Sequence, residues 1–260
     1  NGRALEPVPF DGRLLGDLLK LVRPPIPEFT VLGGMMVDRT DINHLLALTK
    51  SLVSFKHALK IIARHGMDRL SYPRGTRLVM GNALIARLLY SLSLQGDVSL
   101  LLNTSVERFQ RGEAGVTGLT LTASGHKREV AVRGGVVLAS GGFNRHPDLR
   151  AQLLPGVDIA WCPAGPGHTA EAHAPAKSVG AVYGQGALSH AFWAPVSLRK
   201  RADGSTAVFP HFVMDRAKPG MLTVNQHGER FVNESTSYHL FGMAMQATGS
   251  VPAYLVCDAA

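Results

Sequence analysis

Asn233, Glu234 and Tyr238 close the run Lys218–Tyr238, KPGMLTVNQHGERFVNESTSY. A carboxylate and a phenol brought to one place are residue types that proton-transfer chemistry draws on. The spacing indicates how they are delivered. Met221 to Asn225 alternates like a strand, His227-Gly228 is a turn signal, and Arg230 to Asn233 returns as a second strand, giving a β-hairpin. The polar cluster from Asn233 to Tyr238 then leads into a helical run, Leu240 to Gln246. The same cluster also reads as a helix cap, in which a Ser or Thr hydroxyl takes an orphan N–H. On that reading Tyr238 is a buried tyrosine with a satisfied hydroxyl. Both readings stand at this level.

A second candidate lies at Ser140-Gly141-Gly142. Val136 to Ser140 is an unbroken apolar run of the kind found in parallel strands covered on both faces. Glycines at the carboxyl end of such a strand leave backbone N–H groups open to a phosphate or a flat ring. Metal chemistry has less support. Eleven histidines are present, but none forms an HxH, HExxH or HxxxH pair on an expected helix. His168 and His173 come nearest, without cysteines or carboxylates at suitable spacing, so no metal site is expected. There is no GxSxG elbow and no Walker loop.

The elements around these candidates follow from periodicity. Pro7, Pro9, Pro24, Pro25 and Pro27 forbid long helices in the first 40 residues. Asp41 is a plausible N-cap for a helix from Ile42 to about His65, with a stripe at Leu45, Leu46, Leu48, Leu52, Phe55, Leu59 and Ile62. A second helix is expected from Ala83 to about Leu94, stopped by Gly96. Val98 to Leu102 is a short apolar strand. A β-meander follows: Val106 to Gln110, Val116 to Ala123 and Lys127 to Val132, with turns marked by Gly112, Gly115, Ser124 and Gly125. From Pro155 to Pro175 the composition shifts to Gly, Pro, Ala and His, as at a domain boundary or ligand loop. Ala174 to Val182 reads as a short helix.

Composition narrows the function classes. The chain has 260 residues, 45% of them apolar, and a formal net charge of +8. Its basic residues are spread out, with Arg199-Lys200-Arg201 the densest group, so the field suits an anionic small ligand better than a nucleic acid. No run approaches the roughly 20 apolar residues of a membrane span. Cys162 and Cys257 lie far apart without a CxxC context and read as free thiols of a reducing compartment, with a cytoplasmic location expected. The chain opens at Asn1-Gly2 without methionine and stops at a strand-like Leu255–Asp258, so it reads as an internal fragment.

Taken together, VVLASGGF (Val136 to Phe143) and RFVNE (Arg230 to Glu234), with the meander in the same order, make the chain resemble the flavoproteins grouped with fumarate reductase and succinate dehydrogenase. Within these it is most similar to the 3-ketosteroid Δ1-dehydrogenases. GRALEPVPFDGR (Gly2 to Arg13), LVRPP (Leu21 to Pro25), FTVLGGMMV (Phe29 to Val37), YPRGTRLVMGNALIARLL (Tyr72 to Leu89) and FWAPVS (Phe192 to Ser197) fit that subgroup. The resemblance implies a mixed α/β (α+β) fold. Residues 1–155 would be a partial FAD-binding domain with parallel strands and the meander, and 156–260 a truncated, β-rich cap or catalytic domain. The GxGxxG unit that opens such enzymes and the glycine-rich segment that closes them do not occur in this sequence, so weak or no FAD binding and no activity are expected of the fragment alone.

The resemblance also implies the chemistry: an FAD-dependent dehydrogenase that forms a C=C bond beside a ketone, a 3-ketosteroid in the first reading and another substrate of a fumarate-reductase-like flavoprotein in the second, with an external electron acceptor. Tyr238 would take the proton α to the carbonyl. Ser140, Gly141 and Gly142, with Ser105 and Val106 nearby, would meet the adenosine end of FAD, and Glu234 would contact the flavin or orient the tyrosine. Phe192, Trp193, Phe209, Phe212 and Met214 are candidates for an apolar substrate slot, or for plain core. The carboxylate-binding His-Pro of fumarate reductases is Ala194-Pro195 here, their Thr-Glu pair falls near Val213-Met214, and their proton-donating arginine falls at Tyr238. These replacements suit a large apolar ketone and not fumarate. The family's Gly-Asn-Thr-Gly-Asp-Gly loop reads Gly167-His168-Thr169-Ala170-Glu171-Ala172, which puts that loop's flavin contact in question.

Overall fold

The computed structural model describes residues 5–184 and 187–258; the side chain of Met214 lies outside the described set. The chain divides into two compact units, Asn1–Leu100 and Leu101–Ala260. The compact units therefore part well before the Gly/Pro/His-rich stretch near residue 155.

In the first unit, short strands β1 (Phe10–Asp11), β2 (Thr30–Val31) and β3 (Met35–Met36) precede helices α1 (Arg39–Leu46) and α2 (Leu52–Ser71), strand β4 (Arg77–Leu78) and helix α3 (Met80–Ser93). β1 pairs with β4 and β2 with β3, all antiparallel. The proline-rich start allows only 3-10 stretches, Pro27–Phe29 and the longer Gly12–Leu21, which is kinked at Gly16, where φ is 54°. The longer one drops Leu15 and Leu19 onto Phe10, Leu78 and Ala83 to form the core.

The single helix expected from Ile42 to His65 is two helices. Ser51 starts α2 by accepting the Ser54 N–H, and α1 is opened by a reciprocal capping box between Asp38 and Asp41. Asp41 is thus the third residue of its helix, not its cap. The expected stripe also has the wrong phase. Leu52, Phe55 and Leu59 of α2 are exposed, while Ser54, Ala58, Ile61, His65 and Asp68 are buried, one face at 3- and 4-residue spacing. That face is chosen by polar partners. Asp68 accepts from Thr76 N and Oγ1 at 2.8 and 2.7 Å, and Asp41 binds His57 Nε2 at 2.8 Å and Arg77 Nη1 at 2.6 Å.

The second unit opens with the expected meander, β5 (Thr104–Gly112), β6 (Gly115–Ala123) and β7 (His126–Ala131), in antiparallel order β5-β6-β7. Helices α4 (Pro147–Leu153) and α5 (His173–Ser178) follow, then hairpin β8 (Val196–Lys200) with β9 (Thr206–Pro210), helix α6 (Val213–Arg216), strand β10 (Met221–Val224), helix α7 (Tyr238–Ala247) and strand β11 (Tyr254–Cys257). The mixture of helix and strand agrees with the α/β class.

Two expectations need correction. Every ladder among the described residues is antiparallel, and neither Val98–Leu102 nor Val136–Ser140 forms a strand. An apolar run becomes a strand only when a neighbouring strand takes its N–H and C=O groups, and these runs find no such strand among the described residues; Val137 is 91% exposed. The hairpin expected from Met221 to Asn233 closes only by the Asn225–Gly228 turn and one bridge, Val224 to Arg230. The ladder partner of β10 is β11.

Burial works to raise the pKa of Asp41, but bonds from the Asp38 N–H, His57 and Arg77 outweigh it and leave the carboxyl below its ordinary value. Asp41→Ala would strand Arg77 and His57 without their buried acceptor. The expected loss is roughly 3 kcal/mol of unfolding free energy, the usual size for breaking a buried pair. Urea unfolding followed by helix circular dichroism measures it, and a change below about 1 kcal/mol would remove Asp41 as the tie between α1, α2 and β4.

Candidate active site

Tyr238 owes its position to a buried carboxylate. Glu234 is 5% exposed. Its Oε1 accepts the Thr223 N–H of β10 at 2.8 Å, and its two oxygens pair with Arg230 Nε and Nη2 at 3.1 and 2.5 Å. The main-chain carbonyls of Glu234 and Thr236 accept from Arg216 Nη1 and Nη2 at 2.6 and 3.0 Å. Arg216 is 2% exposed, and its guanidinium lies 4.3 Å from the ring centroid of Phe241 on α7. Ser237 then caps α7 by accepting the Leu240 N–H at 3.2 Å. Both Glu234 oxygens are engaged within the chain. What they hold is the turn that presents Tyr238.

Tyr238 is 39% exposed, and its hydroxyl makes no hydrogen bond among the described residues. Its ring stands edge-on to Phe212, with centroids 5.8 Å apart. Phe212 lines a cavity of about 780 Å³, within the range of small-molecule sites. Gly242 and Met245 also line it, four and seven positions after Tyr238 and so on the same helical face.

The cavity gathers Phe192, Trp193 and Phe212 with Trp161, Cys162 and Val251. Trp193 is fixed by its Nε1 donating to Ser189 Oγ at 2.9 Å and its main-chain N–H donating to His239 Nδ1 at 3.2 Å. Gly242 permits this. A Cβ there would stand 2.6 Å from Trp193 Cβ, closer than atoms can approach. Phe192 is 87% exposed and belongs to the mouth. Ser197, also in the lining, lies 2.8 Å from His211 Nε2, and burial lowers the pKa of that imidazole. Phe209 stacks edge-on to His211, with centroids 5.1 Å apart, and is not in the lining. Met214 stands in α6, its side chain outside the described set.

The remaining site residues meet elsewhere in the same unit. Ser140 and Gly141 line a second cavity of about 190 Å³ with His173, Lys177 and Tyr183 of the α5 region. Gly142 O accepts the Ala170 N–H at 3.2 Å, so the Gly-Gly turn is bonded to the Gly167–Ala172 loop. Ser105 Oγ donates to Glu171 Oε1 of that loop at 3.3 Å; the neighbouring Val106 is half-buried. The loop thus brings Ser105, Val106, Ser140, Gly141 and Gly142 into one neighbourhood, apart from the larger cavity's lining.

A family described as an FAD binding domain matches residues 1–259. The chain belongs to this FAD-binding family. It is 32% identical over 95% of its length to 4-oxocyclohex-2-ene-1-carboxylate 5-dehydrogenase of Sinomonas cyclohexanicum, covering 42% of that protein. It is 31% identical over 99% of its length to 3-oxosteroid 1-dehydrogenase of Mycolicibacterium smegmatis, covering 46% of it. Among solved structures, 3-ketosteroid delta1-dehydrogenase of Sterolibacterium denitrificans, in complex with 1,4-androstadiene-3,17-dione, superposes with a TM-score of 0.78 at 28% identity, over 98% of this chain and 46% of that one. The chain therefore spans just under half the length of these relatives.

The residues present fit a flavin nucleotide in the second neighbourhood. Gly142 has open space where a Cβ would stand, and Lys177 adds positive charge beside Ser140 and Gly141. His168 Nδ1 is buried there without a partner, its ring 2.9 Å from the position of a Cβ on Gly141. An orphaned polar atom beside bare backbone is what a ligand's oxygens would complete. Arg150, Trp161, Cys162, Met245 and Val251 escaped sequence reasoning; they come from distant segments with no shared local pattern.

The Arg230 guanidinium, aided by the Thr223 N–H and opposed by burial, holds the Glu234 carboxyl down from 4.5 to about 2. A depressed carboxyl stabilises the fold above its unfolded pKa and loses that stability as pH falls through the folded one. The Glu234 contribution is thus complete above about 4.5 and lost toward about 2. Glu234→Gln keeps an acceptor for Thr223 but loses the charge. It should cost about 1–3 kcal/mol at neutral pH and flatten this acid limb. Denaturant melts of both proteins between pH 7 and 3 test this; parallel curves would contradict it.

Proposed function

We propose that the protein to which this chain belongs dehydrogenates a cyclic ketone between its α and β carbons, with FAD as the oxidant. The apolar cavity of about 780 Å³, bounded by the helix that begins at Tyr238, carries this reading. Its size accommodates a ring system, and its aromatic lining favours burial of a hydrocarbon skeleton. Ala194-Pro195 and Val213 leave no cationic clamp for a small dicarboxylate where fumarate reductases carry one, which favours a ketone over fumarate. The names of the relatives allow two ketone types: a steroid, and a single ring bearing a carboxylate.

FAD, when bound, supplies the hydride acceptor at its flavin N5. Everything else falls to the chain. The cavity orients the ketone and excludes water. Tyr238, as phenolate, takes the proton from the α carbon; the C–H electron pair left there becomes the new C=C bond as hydride leaves the β carbon. Phe212 and the capped first turn of α7 hold the phenol ring in place. Ser140, Gly141, Gly142, Ser105 and Val106 would hold the adenosine end of the cofactor, and Glu234 positions the tyrosine through the turn it braces. On this reading residues 1–155 contribute to flavin binding and 156–260 to the substrate. An external electron acceptor would be the second partner of such a reaction. The two free cysteines suit a reducing compartment such as the cytoplasm.

In the full-length protein, Tyr238→Phe should lower kcat on a cyclic ketone by roughly a hundredfold, the usual scale for a general base, with flavin content unchanged. The phenyl ring remains against Phe212, so packing changes little; undiminished turnover would assign the proton to another group. The 260-residue chain, whose sequence has no GxGxxG turn to seat a pyrophosphate, should elute colourless from gel filtration with FAD. A stoichiometric flavin absorbance near 450 nm would contradict that expectation.

A further inference from the structure

The lining of the large cavity contains one charged residue among the described residues, Arg150. Arg150 is 7% exposed. It stands on α4 and is held by three long bonds to main-chain carbonyls: Nη1 to Asn144 O at 3.5 Å, and Nη2 to Val157 O and Asp158 O at 3.3 and 3.2 Å. Its Nε is buried without an acceptor. No carboxylate of the described residues pairs with it. Asp158, the nearest acid in that set of bonds, turns its side chain to cap the Ala160 N–H at 2.8 Å.

A buried guanidinium with an idle donor and no counter-charge is costly unless something completes it. Arg145, five residues earlier, shows the contrast: four bonds to the carbonyls of Ile159, Cys162 and Ala164 occupy its Nε and both Nη atoms. Arg145 is a structural staple. Arg150 borders the cavity, its guanidinium held only by long bonds and without a counter-charge among the described residues.

We infer that the cavity receives a carboxylate substituent of its cyclic ketone on Arg150, making this residue the determinant that favours an anionic, single-ring keto acid over a neutral ketone. The inference rests on the reading of this cavity as the substrate site. A guanidinium at an apolar wall recognises a carboxylate by charge-assisted hydrogen bonds, which strengthen where water is excluded. A neutral ester or steroid would leave the guanidinium without that partner.

Both tryptophans of the chain, Trp161 and Trp193, line the cavity, so intrinsic fluorescence reports its occupancy. The experiment titrates the 260-residue chain with 4-oxocyclohexanecarboxylate and with its methyl ester. The acid should bind at least about tenfold more tightly than the ester, as expected for a charged hydrogen bond, with the advantage shrinking as salt is raised. Arg150→Gln should bring acid and ester to within about threefold of each other. Ester binding with no advantage for the acid, or an advantage that survives Arg150→Gln, overturns the role of Arg150 and leaves the cavity reading intact. No fluorescence response to either compound removes the cavity as a ketone site, and the inference with it. Should Arg150→Gln not fold, a crystal structure of the wild-type chain with the acid decides. A carboxylate within hydrogen-bonding distance of Arg150 upholds the inference, and one directed elsewhere defeats it.

Discussion

Burying a carboxylate is expensive unless charge and hydrogen bonds compensate it, and Glu234 is compensated from two directions. Thr223 gives it a main-chain N–H from β10, and Arg230 gives it a guanidinium from the turn that follows. The consequence is geometric. β10, the turn at Asn225–Gly228 and the segment Asn233–Ser237 cannot move separately, because each supplies or surrounds one partner of the same anion. Arg216 extends the tie through the carbonyls of Glu234 and Thr236 to the face of Phe241. The start of α7, and so Tyr238, inherits its position from this network. Residues 233–238 also form a capped helix start, with Ser237 as the cap. Capping and site-building are the same arrangement seen at two scales.

Part of this was readable from residue types. The meander was legible because exposed antiparallel strands alternate and glycines mark their turns: Gly115 and Gly125 sit at φ 127° and 80°, backbone that other residues reach only with strain. The period of α2 was legible, and its phase was not. Hydrophobicity alone favours the face bearing Leu52, Phe55 and Leu59. Asp41 and Asp68 overrule it, because a carboxylate leaving water must find its donors, and those donors lie across the other face. Pairwise polar demands of this kind join residues tens of positions apart and leave no periodic trace.

The site divides in the same way. Phe192-Trp193 and Phe212 were visible as an aromatic cluster, and the structure brings them to one cavity. Cys162 was visible only as a free thiol, Arg150 only as part of a spread of basic residues, and Val251 not at all. Cys162 and Val251 reach the cavity through the path of a loop, and Arg150 from the short helix α4. A strand or helix repeats its neighbours' pattern, whereas a loop residue's surroundings are set by where the chain turns. The apolar runs Val98–Leu102 and Val136–Ser140 erred in the opposite direction. Composition there favours a strand, but strand formation is a property of a pair, and neither run has a partner among the described residues.

The Gly167–Ala172 loop shows how a left-handed turn can be held without glycine. Ala170 takes φ 57°, a conformation that costs an L-residue roughly 1–2 kcal/mol. The chain nonetheless holds Ala170 there by bonds on both sides, its N–H to Gly142 O at 3.2 Å and its carbonyl from the His173 N–H at 2.9 Å. It is also buried. The left-handed turn is therefore kept although the residue that makes it easy is absent. Gly141, across the turn at φ 87°, has no such latitude: a Cβ there would meet the His168 ring at 2.9 Å. One side of the turn tolerates a methyl group at the cost of strain, and the other excludes it by contact. Close approach of His168 to the backbone, more than glycine content, sets what each side of this turn accepts.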